Sequence, residues 1–410
     1  MNLPSTAFAD RMKELRASDI REILKVTQRP EVISFAGGLP ASELLPAAEM
    51  AELAHDLLLT DGVRALQYAP TEGLGVLRQL ISDRLRDRFG LDRSADKVLV
   101  VSGSQQALDL TGKIFVNEDD VVLCESPTYL GAINALRAYR PRFVEVPTDD
   151  DGMDPAELER RLATVDRIKL IYVVPDFQNP SGRRWSVERR RTLVELATRF
   201  RVPVIEDAPY AELCFEGHAL PSVASFDTEG LVVFLGTFSK ILSPGLRLGW
   251  VSADREILQR FVLVKQGVDL HTSSLTQLLA ARFMLERDLE GHITRLRAVY
   301  RGRRDAMLAA LDTHMPAGVS YTRPAGGFFL WLELPSHLDA RKLLDRSLVE
   351  NVAFVPGSAF FPEGGHDNTL RLNFTAMSED RITEGVRRLS RVLSEVRRCC
   401  EFESRPSCVA

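Results

Sequence analysis

Short apolar, β-branched runs punctuate this 410-residue chain, and each closes on polar or turn-forming residues. Residues 97–101 end at Ser102-Gly103-Ser104, and 121–125 end at Ser126-Pro127-Thr128-Tyr129. The run 172–174 leads into Gln178-Asn179-Pro180-Ser181-Gly182, 202–207 into Pro209-Tyr210, and 232–235 into Thr237-Phe238-Ser239-Lys240. Helical patterns lie between them, including a Leu- and Arg-rich stretch over 71–91 and another over 105–115. Strands that alternate with helices to about Val251 predict an α/β fold with a mostly parallel sheet flanked by helices. With 45% hydrophobic residues the chain can bury a large core. After Ala253 the pattern changes to long charged helices around 295–301, then short strand signals at 327–333, which alternates, and at 352–357. This predicts a smaller α+β domain from about Tyr300 onward.

Open α/β sheets bind ligands beyond the carboxyl ends of their strands. The polar closures above are therefore where chemistry is to be sought. The segment around Lys240 is the most telling. Thr237 and Ser239 precede the amine, and Arg247 follows beyond the Pro244-Gly245 turn. A cofactor with both an aldehyde and a phosphate needs such a set: the amine condenses with the aldehyde, and hydroxyls and guanidinium hold the phosphate. A lysine beside a turn is ordinarily just solvated. Two further strand ends argue otherwise, since they offer the amide of Asn179 and the carboxylate of Asp207 with the phenol of Tyr210. Alone, Asp207 reads better as a helix N-cap before Ala208-Pro209. Ser102-Gly103-Ser104 opens a helix whose N-terminal amides and dipole favour an anion, which makes Ser104 and Gln105 candidate phosphate contacts.

The formal net charge is −5, with both signs interspersed, so there is no footprint for nucleic acid. No apolar run approaches the ~20 residues needed to span a bilayer. The first residues lack a secretion-signal pattern, and a cytoplasmic location is expected. The five cysteines lack zinc-site spacing. Cys124 and Cys214 read as core thiols. Cys399, Cys400 and Cys408 fall in a terminal tail read as mobile, with a redox or subunit-linking role as the alternative.

These motifs, together with Ser34-Phe35-Ala36-Gly37-Gly38-Leu39-Pro40, Gln67-Tyr68-Ala69-Pro70-Thr71-Glu72-Gly73, the segment Lys265 to Thr272, and Thr369-Leu370-Arg371-Leu372-Asn373-Phe374, resemble those of one family. The chain is similar, from about Ser18 to about Leu393, to fold-type I pyridoxal phosphate enzymes of the aspartate aminotransferase superfamily. Within it, the 2-aminoadipate and kynurenine/2-aminoadipate aminotransferases are the nearest match. The resemblance implies an N-terminal segment (1–45) joining the small domain, a large cofactor-binding domain (46–299), a small C-terminal α+β domain (300–398), and the tail (399–410). It implies pyridoxal 5'-phosphate as cofactor, amino acid and 2-oxo acid substrates, and a homodimer with shared active sites.

The resemblance also implies roles. Lys240 carries the cofactor and moves the proton. Asp207 faces the ring nitrogen, Asn179 and Tyr210 the phenolic oxygen, and Tyr129 the ring face. Ser104, Gln105, Thr237, Ser239 and Arg247 hold the phosphate, joined by Tyr68 of the neighbouring subunit. Arg371, with Asn179, takes the substrate α-carboxylate. Arg21, which shares a helix face with Ser18 and Lys25, matches the arginine that meets a distal carboxylate, and Gly37-Gly38 leaves room for a long side chain. The expected reaction is ping-pong transfer of an α-amino group from a 2-aminoadipate-, glutamate-, leucine- or aromatic-like amino acid to 2-oxoglutarate. The alternative is a lyase, cyclase or oxidase of specialised metabolism on the same scaffold. A transcriptional regulator built on this fold would carry an N-terminal winged-helix module, for which the sequence leaves no room.

Overall fold

In the computed structural model, which describes residues 8–13 and 29–403, the strands in chain order are β1 (Ile33–Ser34), β2 (Val98–Val101), β3 (Val121–Ser126), β4 (Arg142–Asp149), β5 (Gly152–Met153), β6 (Ile168–Val173), β7 (Val204–Asp207), β8 (Val232–Thr237), β9 (Gly249–Ser252), β10 (Ser320–Tyr321), β11 (Phe329–Glu333), β12 (Val352–Ala353), β13 (Val355–Pro356) and β14 (Thr369–Asn373). Eight of them form one sheet in the order β2-β9-β8-β7-β6-β3-β4-β5. Neighbours from β8 through β4 pair in parallel, whereas β9 runs antiparallel to both β8 and β2. The sheet is thus mostly parallel, as the alternation predicts.

Both faces of this sheet are covered, which is why its strands read as continuous apolar runs. β2, β7, β8 and β9 are buried at every position. On one face Leu99, Ile205, Val233 and Val251 pack with Leu108, Leu136 and Phe261. These last three come from the helices Ser104–Phe115, Leu130–Arg137 and Arg255–Gln266. On the other face Val100, Val204 and Phe234 pack with Ile81, Leu193 and Phe283.

The strand directions place the site. The carboxyl ends of β2, β3, β6, β7 and β8 share one edge of the sheet, and antiparallel β9 begins there. Five loops and the segment leading into β9 therefore converge on one crevice.

Local differences from the sequence reading have local causes. The helix predicted over 71–91 spans Gly75–Phe89, because Gly90 takes a left-handed conformation (φ 64°) that ends it. The helix expected from Gln105 begins one residue earlier, at Ser104. Asp207 caps nothing: no helix follows β7, so the N-cap reading is discarded.

A second, antiparallel sheet has the order β10-β11-β14-β13, with Arg371 opposite both Trp331 and Val355. The alternation over 327–333 suggests one wet face, yet Phe329 through Leu332 are all buried. Trp331 packs on Phe360 and Phe361, while Phe329 lies against Tyr210. β1 pairs in parallel with β12, so the segment after Arg29 runs beside the C-terminal part of the chain. The helix Leu289–His314 passes straight through position 300. Among the described residues no helix is long and apolar enough to cross a membrane.

Candidate active site

The crevice at the sheet edge encloses a cavity of about 270 Å³. Gly38, Ser104, Gln105, Tyr129, Asn179, Asp207, Tyr210, Thr237, Ser239, Lys240, Arg247 and Arg371, all singled out from sequence, line it. They arrive from six segments of the large sheet, the strand β14 and the loop after β1.

One end of the cavity is built for an anion. Gly103 adopts φ +79° as the N-cap of the Ser104–Phe115 helix, and the Arg247 guanidinium lies 2.7 Å from where a Cβ on Gly103 would stand. Only glycine permits both the turn and that approach. The Gln106 side chain folds back, accepting from the Ser102 amide (2.7 Å) and donating to Asp269 (2.8 Å). This satisfies the turn from behind and leaves the helix N-terminus at Ser104 and Gln105 facing the cavity. The Thr237 hydroxyl donates to Leu248 O (3.0 Å) and accepts from the Ser239 amide (3.1 Å), which orders the loop before Lys240. Helix dipole, hydroxyls and guanidinium together suit a phosphate.

Deeper in lies Asp207, 2% exposed. Its Oδ2 accepts from the Tyr172 hydroxyl at 2.9 Å, while its Oδ1 is buried with no partner. Burial raises its pKa to about 6, against the lowering effect of the Tyr172 bond. An unpartnered buried acceptor costs about 1–3 kcal/mol, a cost that a ligand N–H removes. The protonated ring nitrogen of pyridoxal phosphate fits this position. Tyr210 is buried nearby and hydrogen-bonds Asn179; burial holds its hydroxyl protonated well beyond the usual tyrosine range.

The Lys240 amine donates to the carbonyl of Gly38 at 2.8 Å and sits 5.4 Å from the centre of the Phe328 ring. Burial first, and then the cations Arg371 and Arg247, lower its pKa to about 8. Near neutral pH a useful fraction is therefore the free nucleophilic amine. Gly38 is tight: a Cβ there would stand 3.1 Å from the Phe329 ring, so that ring takes part of the room expected beside Gly37-Gly38.

Arg371 is 1% exposed. Its guanidinium donates to Asn179 Oδ1 (2.6 Å) and Ala36 O (2.5 Å) and stacks 4.2 Å from the Phe329 ring centre. Its Nε is buried and unpartnered. Burial lowers its pKa to about 10, which still leaves it charged. A buried cation with an open donor fits a carboxylate brought by a ligand.

Two expectations fall elsewhere. Tyr68 is 78% exposed and lies outside the cavity, edge-on to His271 beside a separate surface depression. Ser18, Arg21 and Lys25 lie outside the described residues. Three contributors carried no assigned role in the sequence reading. Tyr172 orients Asp207 from the adjacent strand, Asp269 braces the Ser102 turn, and Phe329 lies beneath Arg371. Tyr172 alone had a legible signal, as a polar-tipped residue inside an apolar strand.

The family pattern described as Aminotransferase class I and II matches residues 30–389. The 2-aminoadipate transaminase of Thermus thermophilus is 46% identical, with 95% of this chain and 97% of that protein covered. The aromatic-amino-acid aminotransferase 1 of Thermococcus litoralis is 41% identical, covering 95% and 94%. The crystal structure of an alpha-aminoadipate aminotransferase from Thermus thermophilus, complexed with N-(5'-phosphopyridoxyl)-L-leucine, superposes with a TM-score of 0.90 at 44% identity, covering 96% of this chain and 99% of that one. A lysine poised beside an anion cradle, at the edge of a mostly parallel sheet, thus has its counterpart in a whole family, and the chain belongs to the class I and II aminotransferases, the pyridoxal phosphate-dependent transaminases of fold type I.

Proposed function

We propose that this transaminase moves the α-amino group of a 2-aminoadipate-, glutamate-, leucine- or aromatic-like amino acid to 2-oxoglutarate. One observation carries the reading. A depressed lysine, a carboxylate with an open oxygen and an arginine with an open nitrogen meet in a single cavity. When bound, the cofactor supplies an aldehyde carbon for covalent linkage and a protonated ring that accepts an electron pair from the substrate α-carbon.

The side chains then divide the work. Ser104, Gln105, Thr237, Ser239 and Arg247 anchor the phosphate. The Asp207 carboxylate keeps the ring nitrogen protonated. Tyr210 and Asn179 donate to the phenolic oxygen, and Tyr129 covers the ring face. Arg371 and Asn179 grip the α-carboxylate, which aligns the α-hydrogen with the Lys240 amine. With the cofactor bound, the free Lys240 amine would take that proton from the α-carbon and return it to the carbon that carried the aldehyde. Dicarboxylates and their oxo acids are then sorted by Arg21.

A homodimer belongs to this reading. Leu59, Val63, Leu66 and Tyr68, on and just beyond the helix Ala47–Leu66, are all strongly exposed, as a second copy would require. Tyr68 would then complete the partner's phosphate site. A cytoplasmic location also belongs to it, and Cys124 and Cys214 are free thiols, as expected in a reducing compartment.

A panel of amino acids added to the cofactor-loaded protein tests the reaction. We expect one 2-oxo acid per cofactor converted, followed by recovery with 2-oxoglutarate. Carbon dioxide or ammonia released without an acceptor would refute it. Arg21→Ala should lower kcat/KM for acidic substrates about tenfold or more while leaving leucine nearly unchanged; equal losses would make Arg21 structural.

A further inference from the structure

Asp207 has one hydrogen-bonding side chain among the described residues, and that group is Tyr172. Tyr172 lies on β6 opposite Ile205 of β7. Side chains two residues apart on a strand share a face, so Asp207 projects on the same face as Ile205 and Tyr172, one diagonal step away. The phenol reaches across that diagonal to Oδ2. It is 1% exposed and packed in the apolar layer with Leu170, Val174 and Ile205, so the ring has little freedom to swing aside. The result is a carboxylate with one oxygen occupied and the other open toward the cavity.

We propose that Tyr172 is a positioning residue for the cofactor, a neutral donor that locks the Asp207 carboxylate with Oδ1 presented to the ring nitrogen and holds it ionised there without cancelling its charge. The inference rests on the reading that Asp207 receives that nitrogen. A neutral donor suits the task where a cation would not. An arginine at Oδ2 would stabilise the carboxylate but offset the charge that keeps the ring protonated. The surroundings leave this role to Tyr172. Lys240, Arg247 and Arg371 line the same cavity, and Tyr129 and Tyr210 face Asp207 from the loops after β3 and β7, yet none of these hydrogen-bonds it. Burial above all, and then the charge of Asp207 itself, makes loss of the Tyr172 proton harder. The hydroxyl therefore stays a donor throughout the working pH range.

The direction of the effect follows. Burial raises the Asp207 pKa to about 6, and the Tyr172 bond opposes that rise. Without the hydroxyl the carboxyl protonates at higher pH, and cofactor binding must then displace a proton. The test is the Kd of pyridoxal phosphate for cofactor-free protein, measured by fluorescence at pH values from about 8 to about 5, for wild type and Tyr172→Phe. The ligand's own phosphate titrates in this window but is common to both proteins, so the ratio of their Kd values reports the protein group. The ratio should be near one at the alkaline end and climb about tenfold as pH falls, the worth of one hydrogen bond to a charged group. Site-specific 3-fluorotyrosine at position 172 keeps the donor and should restore a flat ratio; should Tyr172→Phe not fold, this protein serves in its place, its stronger donor holding the ratio at or below one as pH falls. A ratio for Tyr172→Phe that is constant with pH, or a 3-fluorotyrosine protein that behaves like Tyr172→Phe, overturns the proposal. Asp207→Asn separates the two levels. If it loses the wild-type pH dependence while Tyr172→Phe matches wild type, only the role of Tyr172 fails. If Asp207→Asn itself binds with the wild-type profile, the reading of Asp207 fails, and the proposal with it.

Discussion

Asp176, just after β6, and Asp207, at the end of the adjacent β7, are almost equally buried, but they are treated in opposite ways. Asp176 accepts from Arg190 at 2.7 and 3.0 Å and from Arg184 at 3.0 Å. Burial alone would raise its pKa, yet the two guanidinium groups hold it below the usual carboxylate range. Arg190, 0% exposed, spends its remaining donors on the carbonyls of Pro175, Trp185 and Pro221. Asp207 meets only a phenol and keeps a raised pKa, and the buried Arg371 has no carboxylate partner among the described residues. In the first set both Asp176 oxygens and every Arg190 donor are paired, with only Arg184 Nη2 left without a partner, and the set holds the loop before the Asn179 turn. The second is left open, at a cost in stability that a ligand can recover.

The most severe break in that contrast is Lys240→Ala. It should lower turnover about 10⁴-fold or more, because nucleophile and proton carrier vanish together. Borohydride reduction of the cofactor-loaded protein should label a peptide containing Lys240 in wild type and no such peptide in the variant.

Next comes the comparison of the two arginines. Arg190→Met should destabilise the cofactor-free protein by about 3–5 kcal/mol in urea unfolding, since it strips a partner from a buried acid. Arg371→Met should leave that stability unchanged or higher, because it removes a buried charge lacking a countercharge. The same change should lower kcat/KM for amino acids about 10²-fold. If the two variants unfold alike, the division into closed and open sets is wrong.

Smaller effects sharpen the picture by pH. Between the ordinary aspartate value and about 6, folded cofactor-free protein binds a proton at Asp207 that unfolded chain does not. Its stability must therefore fall as pH rises through that window, by about 3 kcal/mol at most. Asp207→Asn should remove this share of the slope, while Glu125 and Glu206, each raised by burial to about 7, keep theirs. Finally, the rate at which free protein captures pyridoxal phosphate should rise with pH and reach half its plateau near 8, where half of Lys240 has lost its proton. Arg371→Met should move that midpoint to higher pH, because a cation that lowers the Lys240 pKa has gone.

Much of this was readable in the chain. The strand ends carrying Lys240, Asp207 and Asn179 were legible because each apolar run stops where its chemistry starts, and a parallel sheet gathers such stops on one edge. Arg371 was legible through the resemblance of its segment to the family, although its stacking on Phe329 was not. The alternation over 327–333 marked β11 as a strand but did not show that both its faces are covered, since a second packed layer leaves no local pattern.

The order of residues thus determined the strand–helix rhythm, the inventory of reactive groups and the edge at which they gather, because these depend on local pattern and strand direction. Only the tertiary structure decided which buried charges are closed by partners and which stay open, why Tyr172 reaches Asp207, and why Gly38 must be small. Those outcomes depend on contacts between segments far apart in the chain, such as Gly38 with Lys240 and Asn179 with Arg371, which no local pattern encodes.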